Sequence, residues 1–394
     1  GYTFHYDKTR RRQMTYDFLD NPADPALYMA SSYDYDWNMM TNDVTLGLTM
    51  DLRKVSMNLG VKGGRVTQTD DERFPEAVSY DRGYTKVEPA FGIRYGMHNF
   101  SISCSATQPS LQQTRDRIDD SNPLVLTAGN PDLKQVYSTE AKFSGMIYRN
   151  MKTGLTLMYN AGATYIANSI VSRSRYFTQD THIEDYGGYE VKAGSMLYTY
   201  ANTREGVWRA NVSLPFSTMF RKAKLTMHVA PEGYFETAPQ YVGESLSTMV
   251  TARAGITGRV QWRPGGFSFT MRPRIYWFNS DNTSSQHITS GWQIGGGLYA
   301  TYKFPFGMYV HAVAEDSYFK YLSGAGTDNN VLRLKCSIWC YFLQNTLKVS
   351  LSAMDLLNRG SSYTTASTSN YFRQVWKPTY GRYYMLSIVY LFRQ

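Results

Sequence analysis

The sequence predicts an all-β fold, a transmembrane antiparallel up-and-down β-barrel with short periplasmic turns and long extracellular loops. Three observations carry this reading. Apolar and polar residues alternate with a period of two along most of the 394 residues, short and long connections alternate, and aromatic residues recur near the ends of the alternating segments. Strands with one apolar and one polar face give a two-residue period, and helices do not. No window of about 18 uninterrupted apolar residues occurs, so no spanning helix is available. Closed barrels satisfy every backbone group in lipid without one.

The alternation can be followed along the chain. In 267–277, Phe267, Phe269, Met271, Pro273, Ile275 and Trp277 share a face, opposite Ser268, Thr270, Arg272, Arg274 and Tyr276. In 288–304, Ile288, Trp292, Ile294, Leu298, Ala300, Tyr302 and Phe304 oppose Thr289, Gln293, Thr301 and Lys303. The same pattern predicts strands over 44–52, 55–61, 87–97, 100–106, 137–147, 155–167, 208–216, 223–229, 246–262, 308–314, 332–342, 347–353 and 384–392. That makes roughly fifteen strands, several with the length a tilted membrane strand needs. Residues 1–42 read as an N-terminal segment, a weak first strand at 2–6 plus a loop, and 43–394 as the barrel.

Tight turns are expected at 53–54, 98–99, 150–151, 264–265, 305–306 and 344–345, with a wider one at 218–220. Long polar connections are expected over 62–86, 107–136, 168–206, 230–245, 279–287, 318–330 and 354–380. Short and long alternate without a break, which places the C-terminus on the short-turn, periplasmic side.

The end aromatics locate the lipid face. Trp277 and Phe267 are ten residues apart on one face, as are Trp292 and Tyr302, and Trp208 and Phe216 are eight apart. Ten residues at about 3.3 Å, tilted about 45°, rise roughly 23 Å, close to the apolar band of about 25 Å between aromatic girdles. Trp262, Phe267, Phe304 and Phe392 are assigned to one girdle and Trp208, Trp277 and Trp292 to the other. Phe216, Tyr302 and Tyr384 complete the set.

The 41 Lys and Arg against 32 Asp and Glu leave a net charge of +9. These charges are interspersed, so no nucleic-acid partner is expected. The six histidines are scattered, and no H-E-x-x-H, P-loop or G-x-S-x-G is present. Catalytic residues, metal ligands and cofactors are expected to be none, and the chain is expected not to be an enzyme. Cys336 and Cys340 lie four residues apart on the apolar face of one strand, about 13 Å, too far for a disulfide. Cys104 reads as another small hydrophobe on an apolar face.

One polar set is sharper. Arg253, Arg259, Arg272, Arg274, Arg333 and Lys335 all fall on the lumen-facing parity, with Arg272 expected diagonal to Arg259. They suit either an anionic solute or a charge network with a plug or loops. In the long connections Tyr176, Phe177, Tyr186, Tyr189, Tyr363, Tyr371, Phe372 and Trp376 are candidates for contacts with a ligand or a partner protein, and equally for packing the loops into a lid.

The stretch Asn122-Pro-Leu-Val-Leu-Thr-Ala-Gly-Asn-Pro-Asp-Leu-Lys-Gln135 resembles the N-P…G-N-P-x-L-K-P-E segment of TonB-dependent outer-membrane receptors. Ser103-Cys-Ser-Ala-Thr-Gln-Pro-Ser-Leu111 resembles the strand exit before it. Met354-Asp-Leu-Leu-Asn-Arg359 is similar to the family's penultimate-loop element, and Tyr380 to Phe392 to its closing strand. The likeness is strongest to the outer membrane protein β-barrel branch and runs from about residue 43 to the end. Gln135 stands where the family has Pro-Glu, and Arg393-Gln394 follow the terminal aromatic.

The resemblance implies the barrel part of a receptor, with its plug and first strands outside this chain. It would serve energised uptake of a solute through the lumen in the outer membrane of a Gram-negative bacterium. The lipid bilayer, a TonB-type energy-coupling protein acting through the plug, and outer-membrane or surface lipoproteins would be its partners. An accessory barrel in a larger assembly and a passive pore are the competing readings.

Overall fold

In the computed structural model, residues 1–17, 26–27, 32–74, 77–186, 188–283, 288–324, 326–359, 361–367, 372–378 and 380–392 are described. They are nearly all β. The longer strands are β1 (Tyr2–Gln13), β2 (Tyr33–Leu52), β3 (Val55–Phe74), β4 (Val78–Tyr95), β5 (His98–Thr107), β6 (Val136–Asn150), β7 (Leu155–Ala167), β8 (Ile170–Tyr176), β9 (Met196–Asn202), β10 (Val207–Ser213) and β11 (Phe216–Phe220). They continue as β12 (Leu225–Val242), β13 (Ser245–Trp262), β14 (Phe267–Asn282), β15 (Ile288–Lys303), β16 (Met308–Ser323), β17 (Asn329–Phe342), β18 (Leu347–Met354), β19 (Ser361–Ser367), β20 (Phe372–Pro378) and β21 (Tyr383–Tyr390). Two units are distinguished. One comprises Gly1–Lys142, Ala163–Trp208 and Ala238–Thr248; the other comprises Phe143–Gly162, Arg209–Thr237 and Met249–Gln394.

In the first unit, β1 pairs antiparallel with β2 from Tyr2↔Val44 to Gln13↔Tyr33. The β2–β3 hairpin turns at Arg53–Lys54 and pairs through to Asp34↔Phe74, and β3–β4 pairs from Val55↔Tyr95 to Glu72↔Val78. The even positions of β2 show where lipid ends. Met40, Val44, Leu46, Leu48, Met50 and Leu52 are all exposed apolar side chains. Beyond Met40 the same face carries Asn38, Asp36 and Asp34, with Arg10 and Arg73 ion-paired to Asp36. At about 3.3 Å per residue and a tilt of about 45°, Met40 to Leu52 rises roughly 28 Å, the height of the apolar band. The strands continue well past it.

This continuation corrects several expectations. Residues 62–86 and 230–245 are mostly strand: β3 reaches Phe74 before β4 starts at Val78, and β12 meets β13 through a turn at Gly243–Glu244. Beyond the lipid neither strand face has to be apolar, one meeting water and the other, in β3, polar connections that bury Gln68 and Asp70, so the alternation fades while the backbone ladder carries on. Strands β8, β9, β11, β19 and β20 have no counterpart of their own among the roughly fifteen expected, and β1 extends the weak first strand of 2–6 to Gln13. The boundary placed between 42 and 43 falls inside β2. One turn sits at Gly96–Met97, two residues before the expected place, where Gly96 adopts a left-handed φ of 57° that glycine reaches without steric cost. The wider turn is at 221–224 instead of 218–220.

The connections of this unit pack on one another. After β5, the one-turn helix α1 (Leu111–Thr114) is followed by Ile118, Leu126 and Ala128, which form an apolar cluster with Phe177, Ile183, Val191 and Leu197. Strand β9 pairs parallel with Val125–Ala128, from Met196↔Val125 to Tyr198↔Thr127. This miniature domain is tied to the polar face of β3 and β4. Gln68 Nε2 donates to the Pro109 carbonyl at 3.2 Å, Arg82 Nη2 to the Thr114 carbonyl at 3.2 Å, and the Arg115 guanidinium binds Glu72.

In the second unit β14–β15, β15–β16, β16–β17, β17–β18 and β18–β21 are antiparallel neighbours. Their apolar face exposes Ile294, Leu298, Ile338, Leu351, Leu386 and Ile388. Cys336 and Cys340 share the parity of Ile338, opposite Ala312 and Met308.

Aromatics flank the apolar face in this unit. At the short-turn end Trp262 meets Phe267 edge-on, Phe267 pairs with Tyr302, Tyr302 meets Phe304, and Phe392 meets Tyr390. At the far end Trp277 lies opposite Trp292. Phe216 opposes Val229 and Tyr384 opposes Ala353. Trp208, in the first unit, stacks beside Tyr165.

Two substitutions test these assignments. Leu48→Arg puts a cation on the apolar face at mid-height and is expected to cost about 2–4 kcal/mol, whereas Thr49→Arg on the polar face should cost well under 1 kcal/mol. Urea titrations of folding into lipid vesicles read both, and equal costs would reject the face assignment. Phe177→Ala empties the centre of the connection cluster, where Phe177 is only 3% exposed, at a cost of about 3–5 kcal/mol. Protease cleavage within 108–135 should then appear at concentrations that leave the native chain intact, with the strands still resistant.

Candidate functional site

The polar face of β13–β17 is the site the structure defines best. Side chains directly opposite one another in paired strands point to the same face. The β13–β14 register, Thr257↔Arg274 on one side and Val260↔Met271 on the other, sets Arg259 directly opposite Arg272. This corrects the expected diagonal relation. The row continues Arg272↔Gly297, Gly297↔Glu315 and Glu315↔Arg333. The next row runs Thr257, Arg274, Gly295, Ser317, Val331. The ladder skips Gly258 and Arg259, across from Pro273 and Arg272, and Pro273 has no N–H to donate.

Gly295 and Gly297 make the floor. A Cβ on Gly295 would lie 2.3 Å from the Asp316 carbonyl oxygen, and one on Gly297 2.6 Å from the Tyr299 ring. Neither position admits a side chain without displacing its neighbours, so a trench is left between flanking residues. It forms a cavity of 620 Å³ lined by Thr257, Arg272, Arg274, Gln293, Tyr299, Glu315, Ser317 and Arg333 among others. Over this floor the Arg272 guanidinium sits 4.9 Å from the Tyr299 ring centre, and the Tyr299 hydroxyl donates to Glu315 at 2.6 Å. Arg274 reaches Ser317 Oγ at 3.5 Å, and Gln293 donates to the same oxygen at 3.3 Å.

Of the six basic residues predicted for this face, Arg272, Arg274 and Arg333 line the cavity and Arg259 stands opposite Arg272. Arg253 lies over the Tyr276 ring at 4.7 Å, and Tyr276 in turn donates to Glu232. Lys335 is opposite Val313, away from the cavity. Among the described residues no carboxylate lies within ion-pair distance of Arg253, Arg259, Arg272 or Arg274.

The first unit holds a second cleft, of 510 Å³, lined by Tyr33, Tyr35, Trp37 and Tyr200 with Arg11, Arg115, Arg117 and Asp119. The Arg115 guanidinium stacks on Tyr33 and Tyr35 at 4.9 and 4.6 Å while holding Glu72 through Nε at 2.7 Å. Sequence reasoning missed this cleft because it read residues 1–42 as a weak first strand at 2–6 plus a loop, with no strand over 33–42. The signal was present in the alternating Tyr33, Tyr35 and Trp37.

The loop aromatics fall into different places. Phe177 lies in the connection cluster, with Tyr186 and Tyr189 packed against it. Tyr186 donates to the Gly129 carbonyl at 2.9 Å and Tyr189 to Asp120 at 2.7 Å. Burial pushes the Tyr186 hydroxyl up to about 12. Tyr176 is exposed. Trp376 is exposed and its backbone pairs with that of Tyr363. Tyr371 and the side chains of Tyr363 and Phe372 lie outside the described residues.

Asp70, opposite Trp37 above the lipid band, is 2% exposed. Burial, then the neighbouring Glu72, pushes its carboxyl up to about 6, against the pull of Arg115 and Arg82. The folded chain therefore holds a proton that the unfolded chain has lost between about pH 4 and 6. The resulting stabilisation is complete below about pH 4 and disappears as pH rises through 6. A shift of about two units corresponds to at most about 3 kcal/mol. Folding free energies measured from pH 4 to 7.5 should fall with rising pH in the native chain, and Asp70→Asn should flatten that slope.

The model of the outer membrane protein β-barrel family matches residues 1–390. Similar solved structures include OmpT, an outer membrane protein of Vibrio cholerae, in its trimer form (10% identity, TM-score 0.34, 99% of this chain and 98% of that one). They also include OccK7 (OpdD) of Pseudomonas aeruginosa (10%, 0.24, 99% and 97%) and a BenF-like porin from Pseudomonas fluorescens Pf-5 (11%, 0.25, 99% and 99%). A curated relative, the 1,4-alpha-glucan branching enzyme GlgB of Burkholderia thailandensis, is 27% identical over 123 residues, 29% of this chain, and the match spans 14% of that enzyme's length. The expectation that the chain is not an enzyme is withdrawn, since a match to a barrel family fixes the fold and not the activity. The family match places the chain in the bacterial outer membrane with the lipid bilayer around it. The chain belongs to the outer membrane protein β-barrel family.

Proposed function

We propose that the chain is a passage for a solute across the outer membrane, with the polar face of its strands lining the lumen, and the short turns and C-terminus on the periplasmic side. The observation that carries this reading is the glycine-floored cavity at the height of the apolar band, walled by Arg272, Arg274 and Arg333. A face that only had to be solvated would not need two consecutive lumen positions without side chains.

A TonB-type receptor barrel is the second reading, favoured by the Gly129-Asn-Pro-Asp-Leu-Lys134 element. Asn130 Nδ2 donates to the Tyr200 carbonyl at 2.9 Å, the Lys134 N–H donates to Asn202 Oδ1 at 2.7 Å, and Leu133 is buried. The element thus anchors the folded connections to β9, a fixed mount for a recognition surface. In that reading passage requires an energised partner and a plug.

Planar-bilayer recording and uptake in cells together separate the two. A passive passage gives stepwise ion conductance from the purified, folded chain and solute uptake that a protonophore leaves unchanged. A receptor barrel gives uptake that the protonophore abolishes.

A further inference from the structure

Resting on the solute-passage reading, we propose that Arg259, Arg272, Arg274 and Arg333 form a binding site for a small oxyanion carrying at least two negative charges, a phosphate or a polycarboxylate. The flanking pairs Thr257↔Arg274 and Val260↔Met271 keep one offset across the interruption at Gly258 and Arg259, which puts Arg259 across from Arg272, with Arg274 two residues along the same face. Like charges in that relation repel and destabilise the sheet. Among the described residues, Arg259, Arg272 and Arg274 have no carboxylate at ion-pair distance. The wall carries two carboxylates. Glu315 accepts from Tyr299 and stands opposite Arg333, and Asp316 belongs by parity to the other face. The cluster is therefore left with an excess of positive charge that a bound multivalent anion would balance.

The form of the site narrows the chemistry. Guanidinium forks match the paired oxygens of carboxylate and phosphate, and two neighbouring forks hold two such edges. Ser317 Oγ and Gln293 supply neutral polar partners between them. The trench over Gly295 and Gly297 lets an oxyanion approach the backbone, which a side chain there would prevent. The Arg272 contact with the Tyr299 ring fixes one fork in place without consuming its charge.

The test uses the full, folded chain in detergent and in planar bilayers. Isothermal titration with inorganic phosphate and, separately, with citrate is expected to show binding by at least one, weakened tenfold or more in the double variant Arg272→Gln/Arg274→Gln. That variant relieves repulsion, so folding should survive, and Arg272→Lys/Arg274→Lys should fall between it and the native chain. Arg53→Gln, in a turn, is the control. In a potassium chloride gradient the native chain should give an anion-selective reversal potential that moves towards zero in the double glutamine variant. Binding with a silent bilayer keeps the site and removes the passage reading. Conductance without binding of either anion, or binding that the double glutamine variant leaves unchanged, overturns the site and keeps the passage. Neither binding nor conductance overturns both.

Discussion

A strand in hydrocarbon can send its N–H and C=O groups nowhere except to another strand. That constraint fixes the register, and the register decides what each side chain faces. In β2 it sends Leu46, Leu48 and Leu52 to one side and Asp43 to the other, where Lys62 and Lys86 bind it at 2.8 and 3.1 Å. In the second unit it brings Arg259 against Arg272 and Glu315 against Arg333. Pro273 tests the constraint from within: it contributes no donor, and the ladder opposite it is interrupted.

The folded connections of the first unit obey a different rule. Freed from lipid, 108–135 and 168–202 bury apolar side chains against one another, as a small soluble domain does. The cluster is too small to stand by itself, and polar ties to β3 and β4 hold it. Arg115 is the centre of these ties, joining an ion pair with Glu72 to two aromatic faces. Asp70, beside this group and shielded from water, is a source of instability at neutral pH that the neighbouring arginines only partly offset.

How much was legible in the sequence follows from the same physics. Where lipid touches one face, a strand must alternate, so 267–277, 288–303 and 332–342 could be found, with their faces, from residue order alone, while the outer ends of these strands at 279–282 and 329–330 read as loop. Above the lipid no face has to be apolar: one meets water and the other can be covered by polar connections, as at Gln68 and Asp70. The extensions of β3, β4 and β12 carry no alternation and read as loops. The arginines on the polar face were legible because parity is a local property. Their assembly into one cavity was not, since it depends on register between strands and on two glycines whose purpose appears only beside Tyr299 and Asp316. Tyr33, Tyr35 and Trp37 were passed over although they alternate, because the surrounding Asp34, Asp36 and Asn38 lack the apolar partner face that marks a strand in lipid.

The length of the extramembrane strands sets the range of the arginine cluster. From Arg274 to the end of β14 at Asn282 is about 26 Å along the strand, and roughly 19 Å of height at a 45° tilt. The screening length in physiological salt is about 8 Å. More than two screening lengths therefore separate the guanidiniums from the strand end, and their field has decayed roughly tenfold there. In the passage we propose, an anion outside would not be steered in by them; it would arrive by unaided diffusion and feel the charge only once deep inside. Ionic strength should thus govern how long it dwells at the cluster far more than how often it arrives.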